Sequence, residues 1–382
     1  MKSLKHIVII GSAHPLRGGL VAFNERLARE YMAQADNVEI WSFSLQYPGW
    51  LFPGKTQYSN EPAPADIRIV TRINSINPLN WICIGRAIKE INPDLVIVKF
   101  WMPYMAPCLG TICRIIRRNS HTKIISIIDN IIPHEKHPGD KVFVRYFLKP
   151  VDGFVAMSRA VLEELTLFDR RKPRIFCPHP LYDHYGIPVP KFEAQRRLGL
   201  DTQWKYILFF GFIREYKGLD LLLEAFADPR LLQLPVKLLV AGEFYENPDP
   251  YLKSIEKNHL EDRVILSHDF IPDTEVVNYF CASDLVVQTY KSATQSGVTQ
   301  IAYHFNKPMI ITNVGGLAEF VPDGKTGYVV NPDPGEIAEA VLKFFMEEKE
   351  DEFTACVAIE KEKYSWKNMI TAIESLLNEC LI

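Results

Sequence analysis

Two doubly wound α/β domains in tandem, each a parallel sheet with helices on both faces, are the fold this sequence predicts, and three observations predict it. Short runs of branched apolar residues alternate with helical periodicities over residues 7–168, and again over 206–312. Between the two alternations lies a proline-rich stretch without period, Cys177-Pro178-His179-Pro180 and then Gly186-Ile187-Pro188-Val189-Pro190. The length of 382 residues, at 47% hydrophobic and 23% charged, suits two domains of ordinary composition. The 26 prolines and 20 glycines follow no period, which excludes a collagen-like or low-complexity chain.

In the first domain, predicted over 1–180, Ile7-Val8-Ile9-Ile10 reads as a strand ending at Gly11. Residues 12–19 form a glycine loop, after which Leu20, Phe23, Leu27 and Tyr31 recur at helical spacing. Further strands are expected over 38–43, 95–98, 124–128 and 153–156, with helices over 82–91, 108–118 and 159–168. Apolar strands joined by helices require a parallel sheet buried on both faces. The second domain, predicted over 191–365, repeats the pattern with strands at 206–210, 236–241, 264–266, 284–288 and 309–312, and helices at 219–226, 249–258 and 274–282. Trp366, Ile370, Ile373, Leu377 and Cys380 put one apolar stripe on a last helix. The second domain's own alternation offers that stripe no partner, so 366–382 is expected to cross back to the first domain.

Composition and charge exclude several classes. The uncharged stretch 100–113 is shorter than the roughly 20 residues a spanning helix needs and is interrupted by Pro103, Pro107 and Gly110. The apolar run after His6 is too short for a secretion signal, so a cytoplasmic protein is expected. Seven cysteines without a C-x-x-C pair point to reduced, mostly buried thiols rather than a disulfide framework or zinc site. The net charge of −3 hides an asymmetry: 24 Lys+Arg face 16 Asp+Glu up to Pro190, and 19 face 30 after it. A first half at +8 is suited to an anionic neighbour, either a phospholipid surface or a phosphorylated substrate. An uneven but merely solvated surface would look the same.

The candidate chemistry lies on loops that follow strands, because ligands of open parallel sheets bind at the strands' carboxyl ends. Gly18-Gly19 stands after the first strand at a helix N-terminus, where free N–H groups favour an anion, although a glycine pair also makes a plain tight turn. In the second domain Gly211-Phe212-Ile213-Arg214-Glu215-Tyr216-Lys217-Gly218 sets two cations on what reads as an exposed loop. Cations are unfavourable beside a helix N-terminus, so Arg214 and Lys217 read as a fork and a point charge for a diphosphate. Ser292 to Gln300, with Gln295, Ser296, Gly297, Val298 and Gln300, supplies small neutral donors for a sugar or ribose at another helix start. A Ser or Thr helix cap is the simpler reading there. The loop after strand 124–128, with Asp129, Asn130, His134, Glu135 and His137, reads as an acceptor site or a polar surface loop, and its spacing does not suit a metal.

These motifs resemble glycosyltransferase family 4, retaining enzymes of the GT-B fold. Residues 211–220 resemble that family's G-R-x-x-x-x-K-G segment, Val240-Ala241-Gly242-Glu243 its A-G-x-G strand end, and 306–328 its G-x-P…G-G-x-x-E-x-V run. The likeness is strong over 206–330 and looser over 1–175, where Gly18-Gly19 matches the family's glycine loop. Three departures stand out. The family's arginine after the strand glycine falls on Phe212, so Arg214 must reach the phosphates. Its E-x7-E pair falls on Ala293 and Ile301, and its His-Asp pair on Asp129-Asn130.

The resemblance implies two Rossmann-like domains facing a cleft, the first holding the acceptor and the second the nucleotide-sugar donor. It implies transfer of a sugar from a UDP- or GDP-linked donor to a glycan hydroxyl with retention, with no bound metal or other cofactor and no nucleic-acid partner. Arg214, Lys217 and His134 are the expected catalytic residues. Gly18, Gly19, Gly211, Arg214, Lys217, Gly242, Gln295, Ser296, Gly297, Val298 and Gln300 are the expected donor site, and Asn130, His134 and Glu135 the acceptor site. A cell-surface polysaccharide or lipopolysaccharide precursor at the inner face of an anionic membrane is the expected acceptor, from Arg114, Arg117 and Arg118 on one helix and Arg170, Arg171, Lys172 and Arg174 after another. A nucleotide-sugar epimerase, or a non-catalytic partner that binds nucleotide or glycan, are the alternatives.

Overall fold

The computed structural model describes residues 4–35, 37–49, 56–131, 139–293 and 296–380. They divide into two compact units, Met1–Pro180 with Ser365–Ile382, and Leu181–Tyr364.

The first unit is a sheet of β1 (His6–Ile10), β2 (Asn37–Leu45), β3 (Arg68–Asn74), β4 (Leu95–Phe100), β5 (Lys123–Ile128), β6 (Gly153–Ala156) and β7 (Arg174–Phe176), in the order β3-β2-β1-β4-β5-β6-β7. Every neighbouring pair is parallel. The helices α1 (Gly19–Met32), α2 (Pro78–Ile91), α3 (Ala106–Ile116), α4 (Asp140–Leu148) and α5 (Arg159–Thr166) make the crossovers. Side chains alternate across a strand, so β1 sends Val8 and Ile10 to the core shared with α2, α3, α4 and α5. Ile7 and Ile9 go to the opposite core, which holds Phe23, Leu27 and Tyr31 of α1. The terminal helix Trp366–Glu379 completes that second face: Trp366, Ile370, Ile373 and Leu377 are buried in the same core.

The second unit orders β8 (Lys205–Phe210), β9 (Val236–Ala241), β10 (Val264–Ser267), β11 (Leu285–Gln288), β12 (Met309–Thr312) and β13 (Gly327–Val330) as β10-β9-β8-β11-β12-β13, again all parallel. Its helices are α6 (Lys191–Arg197), α7 (Leu219–Phe226), α8 (Asp249–Lys257), α9 (Asp273–Ala282), α10 (Gly297–His304), α11 (Pro334–Met346) and α12 (Glu350–Glu360). Ile207 and Phe209 of β8, Leu238 and Val240 of β9, and the inner faces of α7 and α11 form its main core. Asp284, just before β11, is fully buried. Its carboxylate accepts from the Tyr206 amide at 2.7 Å, pairs with Lys205 at 3.0 Å and also meets Lys191. Burial alone would raise its pKa; the lysines and the amide overcome that and hold it low.

The strand order reverses between β1 and β4 in the first unit and between β8 and β11 in the second. Loops leaving the carboxyl ends of such a pair splay apart and leave a crevice, where ligands of this fold class bind. In the second unit those loops are 211–218 and the one that opens with 289–293, so the topology selects the cations and the hydroxyl-rich stretch together. Among the described residues no helix is long and apolar enough to cross a membrane.

Candidate functional site

The two crevice loops of the second unit are stitched to each other by hydrogen bonds. The Thr289 hydroxyl donates to the Gly218 carbonyl at 2.7 Å, and the Lys291 amide donates to the Tyr216 carbonyl at 2.7 Å. A one-turn 3₁₀ helix, Glu215–Lys217, turns the Lys217 side chain inward. Lys217, expected on an exposed loop, is instead only 9% exposed. The missing Cβ of Gly211 is what admits it, since the ammonium lies 2.9 Å from where that Cβ would stand. Val298, in the first turn of α10, lies 3.6 Å from the same point. The Tyr290 ring centre is 5.5 Å from the ammonium, and the Tyr290 hydroxyl meets Ser296 Oγ at 3.1 Å. Ser296 caps α10 by accepting from the Val298 amide at 3.2 Å. Gly242, at the end of β9, abuts the Gly211 carbonyl.

Gly211, Lys217, Ser296, Val298 and Tyr290 are therefore one cluster, gathered at the start of α10. Burial first, and then the nearby Arg214 charge acting in the same direction, lower the Lys217 pKa to about 8. Among the described residues neither cation has a carboxylate partner. Arg214 rests instead on the Tyr245 ring, 5.0 Å from its centre, and Phe212 packs against Tyr245 at 4.3 Å. A buried, unpaired ammonium beside a helix N-terminus is a site prepared for an anion, whose binding would return the proton affinity that burial removes. Gln300, one turn along α10, is 1% exposed and its Oε1 has no hydrogen-bond partner among the described residues. An acceptor held without a donor is costly, and a ligand hydroxyl would satisfy it.

Gln295, His134 and Glu135 lie outside the described residues. Gly18, Gly19 and Asn130 belong to the first unit. Gly18 opens α1 with nothing within 4 Å of where a Cβ would stand, and Asn130 follows β5. Sequence reasoning missed the group that governs the latter loop. Asp129, which takes the place of the histidine in the His-Asp pair, is ion-paired at 2.8 Å to Lys99, a lysine of β4 with a fully buried amine. Lys99 also sits 3.4 Å from the Phe23 ring centre. Lys99, one residue past the strand expected over 95–98, gave no sign of this role. Tyr290 was missed as well, although its position two residues past β11 on the crevice loop was the available signal. Among the described residues no group of three or more His, Cys, Asp or Glu is placed to hold a metal ion.

The segment that carries the cluster decides the family comparison. Residues 204–347 match the family described as glycosyl transferases group 1. The chain is 27% identical over 233 residues to the D-inositol 3-phosphate glycosyltransferase of Mycolicibacterium smegmatis, covering 58% of this chain and 51% of that one. It is also 27% identical over 197 residues to the lipopolysaccharide 1,2-N-acetylglucosaminetransferase of Salmonella typhimurium, covering 48% of this chain and 51% of that one. It thus spans about half the length of the curated relatives it matches. Anabaena HepE, solved in complex with UDP, superposes with a TM-score of 0.72 at 17% identity over 98% of this chain and 100% of that one. That likeness shows the fold: two parallel-sheet α/β domains, as in GT-B glycosyltransferases. The group 1 segment begins at β8 and runs into the end of α11, so it contains both crevice loops.

Proposed function

We propose that this protein transfers a sugar from a nucleotide diphosphate donor, UDP- or GDP-linked, to a glycan hydroxyl with retention at the anomeric carbon. The observation that carries the reading is Lys217, a buried ammonium without a counter-charge among the described residues, beside the first turn of α10 within a segment matching group 1 glycosyl transferases. The bond that must break is C1–O to the diphosphate, and negative charge grows on the leaving oxygen as it stretches. A preset cation in a dry site stabilises that charge more than it stabilises the ground state. Arg214, half-buried at the same loop, adds a planar fork for the second phosphate. The acceptor oxygen then bonds to C1 from the face the diphosphate leaves, and its proton passes to the departing phosphate oxygen. Ser296 and the Gln300 side chain provide hydrogen bonds for ribose or sugar hydroxyls.

The acceptor side is assigned to the first unit, at Asn130, His134 and Glu135, with Gly18-Gly19 kept for the donor. Its excess of basic residues supports a lipid-linked or cell-surface glycan as acceptor, at an anionic membrane face. The Salmonella relative's name, a lipopolysaccharide 1,2-N-acetylglucosaminetransferase, is consistent with this.

Incubation with a panel of labelled UDP- and GDP-sugars, with and without glycan primers, tests the reading. Release of free nucleotide together with a labelled glycan is expected, and NMR of the product gives the anomeric configuration. A changed sugar still attached to its nucleotide would mean epimerisation. Stoichiometric binding without turnover would mean a binding module, which Ala293 and Ile301 at the E-x7-E positions would then explain.

A further inference from the structure

We propose that the face of the first unit formed by α4, the end of α3 and the segment after α5 docks on an anionic lipid bilayer, with Val142, Phe143 and Leu167 entering the headgroup layer. It deepens the reading above in one respect, that the acceptor is held at a membrane.

The inner side of α4, Val144, Phe147 and Leu148, is buried in the core shared with α2 and α3. Its outer side carries Lys141, Val142, Arg145, Tyr146 and Lys149, all exposed. These fall at i, i+1, i+4, i+5 and i+8, so a cationic stripe runs beside an apolar one. Val142 is 65% exposed, Phe143 43% and, beyond α5, Leu167 64%. Apolar side chains this open, rimmed by cations with long stems, are the pattern of a helix that lies in the plane of a membrane interface.

The surface is continuous. Arg114 of α3 stacks on the Tyr146 ring at 3.6 Å, and Arg145 lies 5.9 Å from the Phe168 ring centre. The Lys172 ammonium donates to the carbonyls of Leu148 at 2.6 Å and Lys149 at 2.9 Å. Arg117 donates to the carbonyls of Lys149 and Pro150 at 3.4 and 3.3 Å. This changes the role expected for the basic clusters: Arg114, Arg117 and Lys172 serve first to close the C-terminal end of α4, and Arg174 pairs with Asp169 at 3.7 Å. The residues that project from this face as exposed cations are Arg118, Lys141, Arg145, Lys149, Arg170 and Arg171. Glu163 of α5 is exposed one turn before Leu167, but the other carboxylates nearby are engaged. Asp152 pairs with Arg117 at 3.3 Å, Asp169 caps the amides of Arg171 and Lys172, and Asp140 has a partner of its own.

An outward face of six exposed cations around isolated apolar tips, answered among the described residues by one exposed carboxylate, Glu163, is complementary to an anionic bilayer. Position gives that docking a use. α4 starts twelve residues after β5 ends and so begins at the ligand edge of the sheet, where Asn130 lies. A docked α4 would hold this edge against the lipid surface.

Co-sedimentation of the whole protein with vesicles tests the proposal. Binding is expected to phosphatidylcholine vesicles containing phosphatidylglycerol at low salt, with weak binding at high salt and none to phosphatidylcholine alone. Arg145→Gln/Lys149→Gln/Arg171→Gln should lower the partition coefficient about 100-fold. Val142→Ser/Phe143→Ser should lower it about tenfold at either salt concentration. Both variants should keep the wild-type melting temperature. Wild-type protein left in the supernatant at low salt would overturn the proposal, as would wild-type binding by both variants. A wild-type dimer in sedimentation velocity that Val142→Ser/Phe143→Ser dissociates, with vesicle binding intact, would also overturn it in favour of a second copy as the occupant. The assay contains no nucleotide sugar, so it reads independently of whether the transferase reading survives.

Discussion

Lys217→Ala should reduce nucleotide-sugar turnover by about 10²–10³, the usual loss when one preset donor to a leaving group is removed. Folding should not suffer in proportion. Burial brings the Lys217 pKa from 10.5 to about 8, which means the charged form is disfavoured in the ligand-free fold by about 3 kcal/mol. The sign follows from linkage: a lysine with a depressed folded-state pKa destabilises the fold wherever the unfolded chain would carry the proton, and the penalty is largest below pH 8. Lys217→Met keeps the stem that packs over Gly211 and discards the charge, so at neutral pH its melting temperature should equal or exceed that of the wild type while turnover falls as in the alanine variant. A lysine with a merely structural role would give the reverse, a lower melting temperature and near-normal turnover.

Gly218→Ala should damage stability and activity together. Gly218 holds φ at +69°, where an L side chain is strained, and a Cβ there would stand 1.9 Å from the Thr289 carbonyl oxygen. The obstacle is backbone, so it cannot rotate aside; the loop has to move. Strain and overpacking together should cost about 2–5 kcal/mol, a large part of the stability of an ordinary domain. The same movement breaks the Thr289 to Gly218 hydrogen bond and displaces Lys217 from Gly211. Gly199→Ala separates the two contributions, because Gly199 has φ at +65° with nothing within 4 Å of its Cβ position. Its cost should be the conformational part alone, about 1 kcal/mol, with turnover unchanged. Equal melting temperatures for the two variants would mean that the Thr289 contact is soft.

The sheets were legible because their central strands are fully buried, and burial on both faces writes itself as a continuous apolar run, as in Leu95 to Val98 or Ile124 to Ile128. Edge strands leave a weaker trace. β3 went unread because Arg68, Thr71 and Arg72 break any apolar run on a half-exposed edge. α4 went unread for a different reason: Lys141, Val142, Arg145 and Tyr146 mix cations and apolar groups on its outer face, which blurs the helical stripe that Val144, Phe147 and Leu148 would show. α2 begins four residues earlier than its apolar periodicity, because Asn77 caps it through the amides of Leu79 and Asn80, with Pro78 as its first residue. In the candidate site, residue types and loop positions were visible in the sequence; burial was not. Nothing in Glu215-Tyr216-Lys217 says that the lysine turns inward, because that depends on the space left by Gly211, six residues away, and on Thr289 and Lys291 in a loop more than seventy residues away. The Lys99 to Asp129 pair was hidden in the same way, since partners on neighbouring parallel strands are separated by a whole crossover.

The central claim is that the loops after β8 and β11 hold a diphosphate through Lys217. Calorimetric titration of UDP and GDP, each against its own monophosphate, at about pH 7 and about pH 9.5 tests it most directly. At the lower pH the wild type should prefer the diphosphate by roughly tenfold to a hundredfold, the worth of one charge-assisted hydrogen bond. The preference should fall as the pH passes 8, where the free-site ammonium loses its proton, and it should be absent from Lys217→Met at both pH values. Equal affinity for diphosphate and monophosphate in the wild type, or a preference that survives in Lys217→Met, would contradict the claim.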